Sequence, residues 1–165
     1  MFQTILVAIG ANLASAAGRT PLETCRWAAG QLGQIPGLDL RKVSRWFATQ
    51  PVPASDQPRF VNGAAWLGGA VEPCGLLEML QAIEAAAGRV RGVPNAARTL
   101  DLDLLAMDDL VMASPQLVLP HPRMQDRAFM LAPLQDLQPD WMHPVLRVSV
   151  STMLAAVSGQ DVQAL

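Results

Sequence analysis

An α+β sandwich is the fold this sequence predicts. Segments of strand and helix character follow one another in the order strand, helix, strand, strand, helix, strand. The last of these strands, Arg98 to Met107, alternates leucine with charged or small residues. The length, 165 residues, suffices for one substantial core. That element order is a ferredoxin-like βαββαβ unit, with a C-terminal extension of about 55 residues appended to it. The whole chain, 1–165, is expected to be a single domain.

The first strand is expected over Thr4 to Ile9, a run of β-branched and aliphatic residues that ends at Gly10 and suits burial on both faces. Thr20, Pro21 and Glu23 combine an N-cap hydroxyl, a proline at the first helical position and a capping-box carboxylate, so a helix starts there and runs to Gly33 or its neighbours. A second strand is expected over Val43 to Ala48. From Thr49 to Pro58 the prolines, serine, aspartate and glutamine cannot continue a sheet and form an exposed loop. Phe60 to Leu67 reads as a third strand, with Phe60, Asn62, Ala64 and Trp66 on one face and Val61, Ala65 and Leu67 on the other. Pro73 opens a second helix with an apolar stripe of Leu76, Leu77, Leu80 and Ile83, and Gly88 is placed to end it. Arg89 to Ala97 forms a second loop before the strand Arg98 to Met107. Beyond it, short strands at Val111, Val118 and Leu119 and helical turns over Ala128 to Leu137 and Ser149 to Val157 are expected between prolines.

Composition excludes several classes. A formal net charge of -2 and a single lysine, Lys42, leave no broad cationic surface for a nucleic-acid backbone, so work on phosphates has to be local and arginine-led. Cys25 and Cys74 stand far apart, with neither zinc-site pairing nor the density of a disulfide scaffold, and are expected as reduced helix residues. Ala14, Ser15 and Ala16 loosely imitate a signal cleavage site, but no basic segment precedes them and Gly10 and Asn12 interrupt the apolar run. That run is also too short to span a bilayer. The expectation is a cytoplasmic monomer with no membrane or nucleic-acid partner.

The residues that carry chemistry fall into clusters. In Arg98-Thr99-Leu100-Asp101-Leu102-Asp103 the strand period puts both aspartates on one face and the leucines on the other. Like charges held that close repel unless a cation sits between them or one proton is retained, and a hard ion such as magnesium takes a few carboxylate oxygens and fills its shell with water and phosphates. The alternative for an isolated pair of this kind is the solvated face of an amphipathic strand. Arg89, Arg91 and Arg98 bracket the second loop, and guanidinium groups near aspartates are the pairing that phosphoryl transfer uses. Gln81 and Glu84 share a helix face near that loop, where they hold a nucleotide, order the loop or simply face water. His121, fixed between Pro120 and Pro122, can donate to a phosphate with Arg127 as partner, or serve as a structural imidazole. Phe60 and Phe129 are core residues or stack on a flat ring, and Asn62, an amide among apolar neighbours, needs partners that a heterocycle edge would supply.

Taken in register, Gly10-Ala11-Asn12-Leu13, Gln81 with Glu84, Gly88-Arg89-Val90-Arg91, Arg98 through Asp103, and Pro120-His121-Pro122-Arg123-Met124 with Arg127 and Phe129 resemble the 6-hydroxymethyl-7,8-dihydropterin pyrophosphokinase family of folate biosynthesis. The resemblance runs over residues 2 to 140 or so. It implies ATP and a pterin alcohol as substrates, AMP as product, two Mg2+ ions, and a ferredoxin-like fold. It implies that Asp101 and Asp103 bind the metal, and that Arg89 and Arg98 join them in catalysis by contacting the triphosphate. Gln81, Glu84, Arg91, Leu104, His121 and Arg127 match nucleotide-site positions; Thr49, Val52, Phe60, Asn62 and Phe129 match the pterin pocket, with the two phenylalanines sandwiching the ring.

The chain departs from that family at three places. Val93 to Ala97 holds no tryptophan where the family has one, Gln116 stands where an arginine is usual, and Pro122 replaces an aromatic residue. A paralogue that binds pterin or nucleotide with impaired turnover is the alternative these departures keep open.

Overall fold

In chain order the elements are β1 (Phe2–Ala11), α1 (Pro21–Leu32), β2 (Leu38–Val43), β3 (Phe47–Thr49), β4 (Phe60–Gly69), α2 (Pro73–Ala86), β5 (Asp101–Met107), β6 (Met112–Ala113), β7 (Val118–Leu119), α3 (Ala128–Leu137), α4 (Val150–Ala156) and β8 (Val162–Ala164). The computed structural model describes residues 1–15, 17–51, 53–88 and 99–165. β1 is buried from Ile5 onward because it lies inside the main sheet, with antiparallel β4 on one side and antiparallel β5 on the other. β2 and β3 both pair antiparallel with β4, and β8 pairs with β3 at the outer edge. α1 and α2 each return the chain to a strand parallel to the one it left, with one antiparallel strand between, which is the expected βαββαβ arrangement.

The strand period sorts side chains into two cores. Ile5, Val7 and Ile9 of β1, Ala65 and Leu67 of β4, and Leu102 and Leu104 of β5 meet α1 and α2 on one face. Leu6, Ala8, Ala64, Leu105 and Ala106 meet α3 and α4 on the other. α1 starts as the sequence predicts: Thr20 Oγ1 accepts the Glu23 N–H at 3.2 Å while Glu23 Oε1 accepts the Thr20 N–H at 3.1 Å. α2 buries Leu76 and Leu80, and Gly88 follows its end with a φ of +89°, a left-handed conformation that favours glycine. Cys25 and Cys74 are free thiols on α1 and α2, and burial pushes the Cys25 thiol up to about 12.

Several details differ from the sequence expectations, among them a strand at Val162–Ala164 and a short strand at Met112–Ala113 in place of Val111. The second strand, expected over Val43 to Ala48, is two strands separated at residues 44–46. The hydroxyl of Ser44 enters the ladder there, accepting the Ala64 N–H at 2.8 Å and donating to the Arg45 carbonyl at 2.7 Å, so a side chain competes with regular pairing. β5 begins at Asp101, and the expected start at Arg98 lies outside the described residues. β5 also carries a bulge: Leu6 pairs with Ala106 but Val7 with Leu104. Leu105 and Ala106 therefore both face α3 and α4. The bulged Leu105 carbonyl accepts the His121 N–H at 2.8 Å, which seats the segment after β7 against the sheet edge. Among the described residues no helix is long and apolar enough to cross a membrane.

Candidate active site

Because the central strands are antiparallel, the C-terminal end of β1 and the N-terminal ends of β4 and β5 come to one end of the sheet. Gly10 pairs with Asn62 on one side and Asp101 on the other; Ala8 pairs with Ala64 and Asp103. Period two then turns Gly10, Asn62, Asp101 and Asp103 to the same face, with Phe60 beside Asn62. Together with Thr49 of β3 and with Arg127 and Phe129 at the start of α3, they line one pocket.

The floor of this pocket is made by the absence of side chain at Gly10. A Cβ there would stand 2.6 Å from Asn62 Oδ1, so glycine is what allows the amide to lie across β1. Asn62 and Thr49 are both buried, and the Asn62 amide donates to the Thr49 hydroxyl, which fixes the orientation the amide presents to the pocket. The Arg127 guanidinium lies 5.6 Å from the centroid of the Phe129 ring, and Phe129 is half-packed against the second core, so the ring and the cation hold each other at the pocket wall. Across from them, buried Asn12 donates to Gln57 Oε1 and to the Pro58 carbonyl, each at 3.1 Å. These two bonds anchor the proline-rich loop over the pocket. Neither Gly10 nor Asn12 was assigned a role by the residues alone; their signal was the Gly-Ala-Asn sequence at the end of a buried strand.

A second cleft adjoins the first and shares Asp103 with it. Its walls include Leu77, Leu102, Leu104, Gln116 and His121. His121 Nδ1 accepts the Arg123 N–H at 3.1 Å, which assigns the proton of the neutral ring to Nε2. Burial is the main reason that the His121 pKa falls to about 4; the positive charge of Arg127 lowers it further, while Asp101 opposes the fall. At neutral pH the ring is therefore an uncharged donor close to the two aspartates.

Thr49, Phe60, Asn62, Asp101, Asp103 and Phe129 thus come together in one pocket, and Leu104 and His121 join Asp103 in the neighbouring cleft. Arg127, expected on the nucleotide side, lines the first pocket. The expected pairing of Gln81 with Glu84 on one polar face is not what the structure has. Gln81 is exposed, whereas Glu84 is buried and accepts the Leu102 N–H at 2.8 Å, satisfying a backbone donor on the open edge of β5. Val52, Arg89, Arg91 and Arg98 lie outside the described residues. Among the described residues no three His, Cys, Asp or Glu side chains converge as a metal cage. The aspartate pair suits a hard cation that draws its remaining ligands from water and phosphate rather than from protein.

The family described as 7,8-dihydro-6-hydroxymethylpterin-pyrophosphokinase (HPPK) matches residues 6–139. The 2-amino-4-hydroxy-6-hydroxymethyldihydropteridine pyrophosphokinase of Pseudomonas aeruginosa is 43% identical over 144 residues, covering 87% of this chain and 86% of the relative. The protein of the same name from Synechocystis is 34% identical over 139 residues, covering 84% and 68%. Among solved structures, wild-type HPPK-DHPS of Plasmodium falciparum superposes with a TM-score of 0.65 at 12% identity, over 94% of this chain. This chain spans 45% of that longer protein, so the likeness speaks for the fold. The chain belongs to the 7,8-dihydro-6-hydroxymethylpterin-pyrophosphokinase family.

Proposed function

We propose that the chain transfers a pyrophosphoryl group from ATP to 6-hydroxymethyl-7,8-dihydropterin, releasing AMP, as a step of folate biosynthesis. The observation that carries this reading is the meeting of two cavities at Asp103: an aromatic, amide-edged pocket and a second cleft with a neutral histidine. A planar ring held between Phe60 and Phe129 is recognised at its edge by Asn62, which Thr49 orients; Val52 is assigned to the same ligand on the family resemblance alone. ATP occupies the second cleft, contacted by Leu104 and by the Nε2–H of His121, with Arg127 reaching across from the pterin side; Gln81 and Arg91 are assigned to the nucleotide on the family resemblance alone.

Asp101 and Asp103 would hold Mg2+, two ions on the family resemblance, and the bound metal offsets negative charge on the phosphates. The hydroxymethyl oxygen of the pterin attacks the β-phosphorus as the bond to the α,β-bridging oxygen breaks, and that oxygen leaves on AMP. Arg89 and Arg98 are assigned to charge on the transferred group. The chain's contribution is position and electrostatics, and no covalent enzyme intermediate is required. Glu84 acts from behind by pinning Leu102 between the two aspartates.

The test is an AMP-coupled assay with ATP, Mg2+ and the dihydropterin alcohol. AMP formation dependent on all three supports the reading. ADP in place of AMP would contradict it, and ligand binding without AMP would favour the impaired paralogue.

A further inference from the structure

The chain beyond residue 139, outside the family match, returns to the pterin side of the site. Gln160 stands between two backbone groups that bracket Arg127: its Nε2 donates to the Asp126 carbonyl at 2.7 Å and its Oε1 accepts the Ala128 N–H at 2.9 Å. Ala128 N–H lies in the first turn of α3, where no helical partner exists, and Arg127 makes no side-chain cap of its own. The next residue, Asp161, pairs with Arg59 at 2.9 Å, and Arg59 also donates to the Ala48 carbonyl at 3.2 Å. Val162 then pairs with Thr49 across β8 and β3. Three consecutive tail residues thus grip the immediate neighbours of Phe60, Thr49 and Phe129, which are the two facing walls and the amide-orienting hydroxyl of one pocket.

We propose that residues 160–162 are a strap that sets the width of the pterin pocket, with Gln160 as the positioning residue for Arg127 and Phe129. It touches no substrate. Its effect is to fix the backbone on both sides of Arg127, so that the Phe129 ring stands at a constant distance from Phe60. No strap residue lines the second cleft, so the nucleotide side is reached only through Arg127 and is predicted to respond far less than the pterin side. This inference deepens the pterin-binding reading above and rests on it.

The experiment compares wild type with Gln160→Met, which keeps the length and packing of the side chain but loses both hydrogen bonds, with Gln160→Glu, which keeps the acceptor, and with Asp161→Asn. KM for the pterin alcohol and for ATP, thermal unfolding, and amide hydrogen exchange without ligand are measured. Gln160→Met is expected to raise the pterin KM about tenfold, the factor that ~1.4 kcal/mol represents, with the ATP KM within about twofold. Gln160→Glu should fall between it and wild type, and Asp161→Asn should move the same parameter in the same direction. Exchange at Ala128 should accelerate in Gln160→Met even in the free protein. Equal shifts in both KM values, or an unchanged pterin KM in a folded variant, would overturn the strap. Failure of wild type itself to bind the pterin would instead sink the functional reading, and unchanged exchange at Ala128 would then still overturn the strap.

Discussion

Replacing Gly10 with alanine separates the pocket floor from the stability of the sheet. The new Cβ would stand 2.6 Å from Asn62 Oδ1, closer than such contacts occur, so the Asn62 side chain has to rotate away from β1. Doing so gives up its bond to Thr49 and takes χ away from its preferred well, costing about 1 kcal/mol for the hydrogen bond and about 0.5–1.5 kcal/mol for the rotamer. Alanine in a strand recovers about 0.5–1 kcal/mol of backbone entropy relative to glycine, and Gly10 does not have the left-handed backbone that would forbid it. The folding terms therefore oppose one another and leave a net cost of about 0.5–2 kcal/mol. The binding term has no such offset, because the amide that meets the heterocycle edge is displaced. We expect the pterin KM to rise about tenfold or more while the melting temperature moves by only a few degrees. The AMP-coupled assay and a thermal scan on the same preparation measure both. A Gly10→Ala protein with the wild-type pterin KM would refute the argument that this glycine makes room for Asn62.

Further outcomes follow from the same geometry. Asp101→Asn and Asp103→Asn should each lower turnover at least about a hundredfold at saturating substrates with the fold retained, because each removes a charged metal ligand; near wild-type turnover in both would remove the metal assignment. Phe129→Ala should weaken pterin binding by about 1 kcal/mol or more and change ATP binding less, as read by titration with each ligand. Glu84→Leu should cost about 1–3 kcal/mol of stability in denaturant unfolding, because the buried Leu102 N–H loses its acceptor; an unchanged midpoint would show that this bond matters little. For His121 the folded pKa of about 4 lies below the ordinary 6.5, so the unfolded chain binds the extra proton first. In the metal-free protein this contributes stability that is fully present above pH 6.5 and is lost as pH falls toward 4, up to about 3 kcal/mol. His121→Asn should flatten that slope in unfolding curves taken across the window.

Much of this architecture was legible where the signal was local. Thr20, Pro21 and Glu23 announced the start of α1, and the alternation in Asp101-Leu102-Asp103-Leu104 put aspartates on the pocket face and leucines in the core. The alternation of Phe60, Asn62 and Ala64 against Val61 and Ala65 was legible for the same reason. What depended on distant partners was not. Ser44 breaks the second strand because its hydroxyl finds Ala64 N–H, a contact no window of sequence contains. The Leu105 bulge is set by the pairing of β5 with β1, and the strand at Val162–Ala164 exists only because β3 offers it an edge. Glu84 misled for a related reason: three residues from Gln81 is the same polar stripe on a helical wheel, yet the edge of β5 draws it inward. Gly10 and Asn12 were visible as a motif, but their work lies in what sits across the strand and over the loop.

The central claim is that Asp101 and Asp103 hold divalent cations on the phosphates of a nucleotide at the junction of the two cavities. A crystal structure with a non-hydrolysable ATP analogue, Mg2+ and the pterin alcohol tests it most directly. The account predicts metal density bonded to both carboxylates, the phosphate chain running from the His121 cleft toward the first pocket, and the pterin ring between Phe60 and Phe129. Metal and phosphates bound away from Asp101 and Asp103, with the ring outside that aromatic pair, would contradict it.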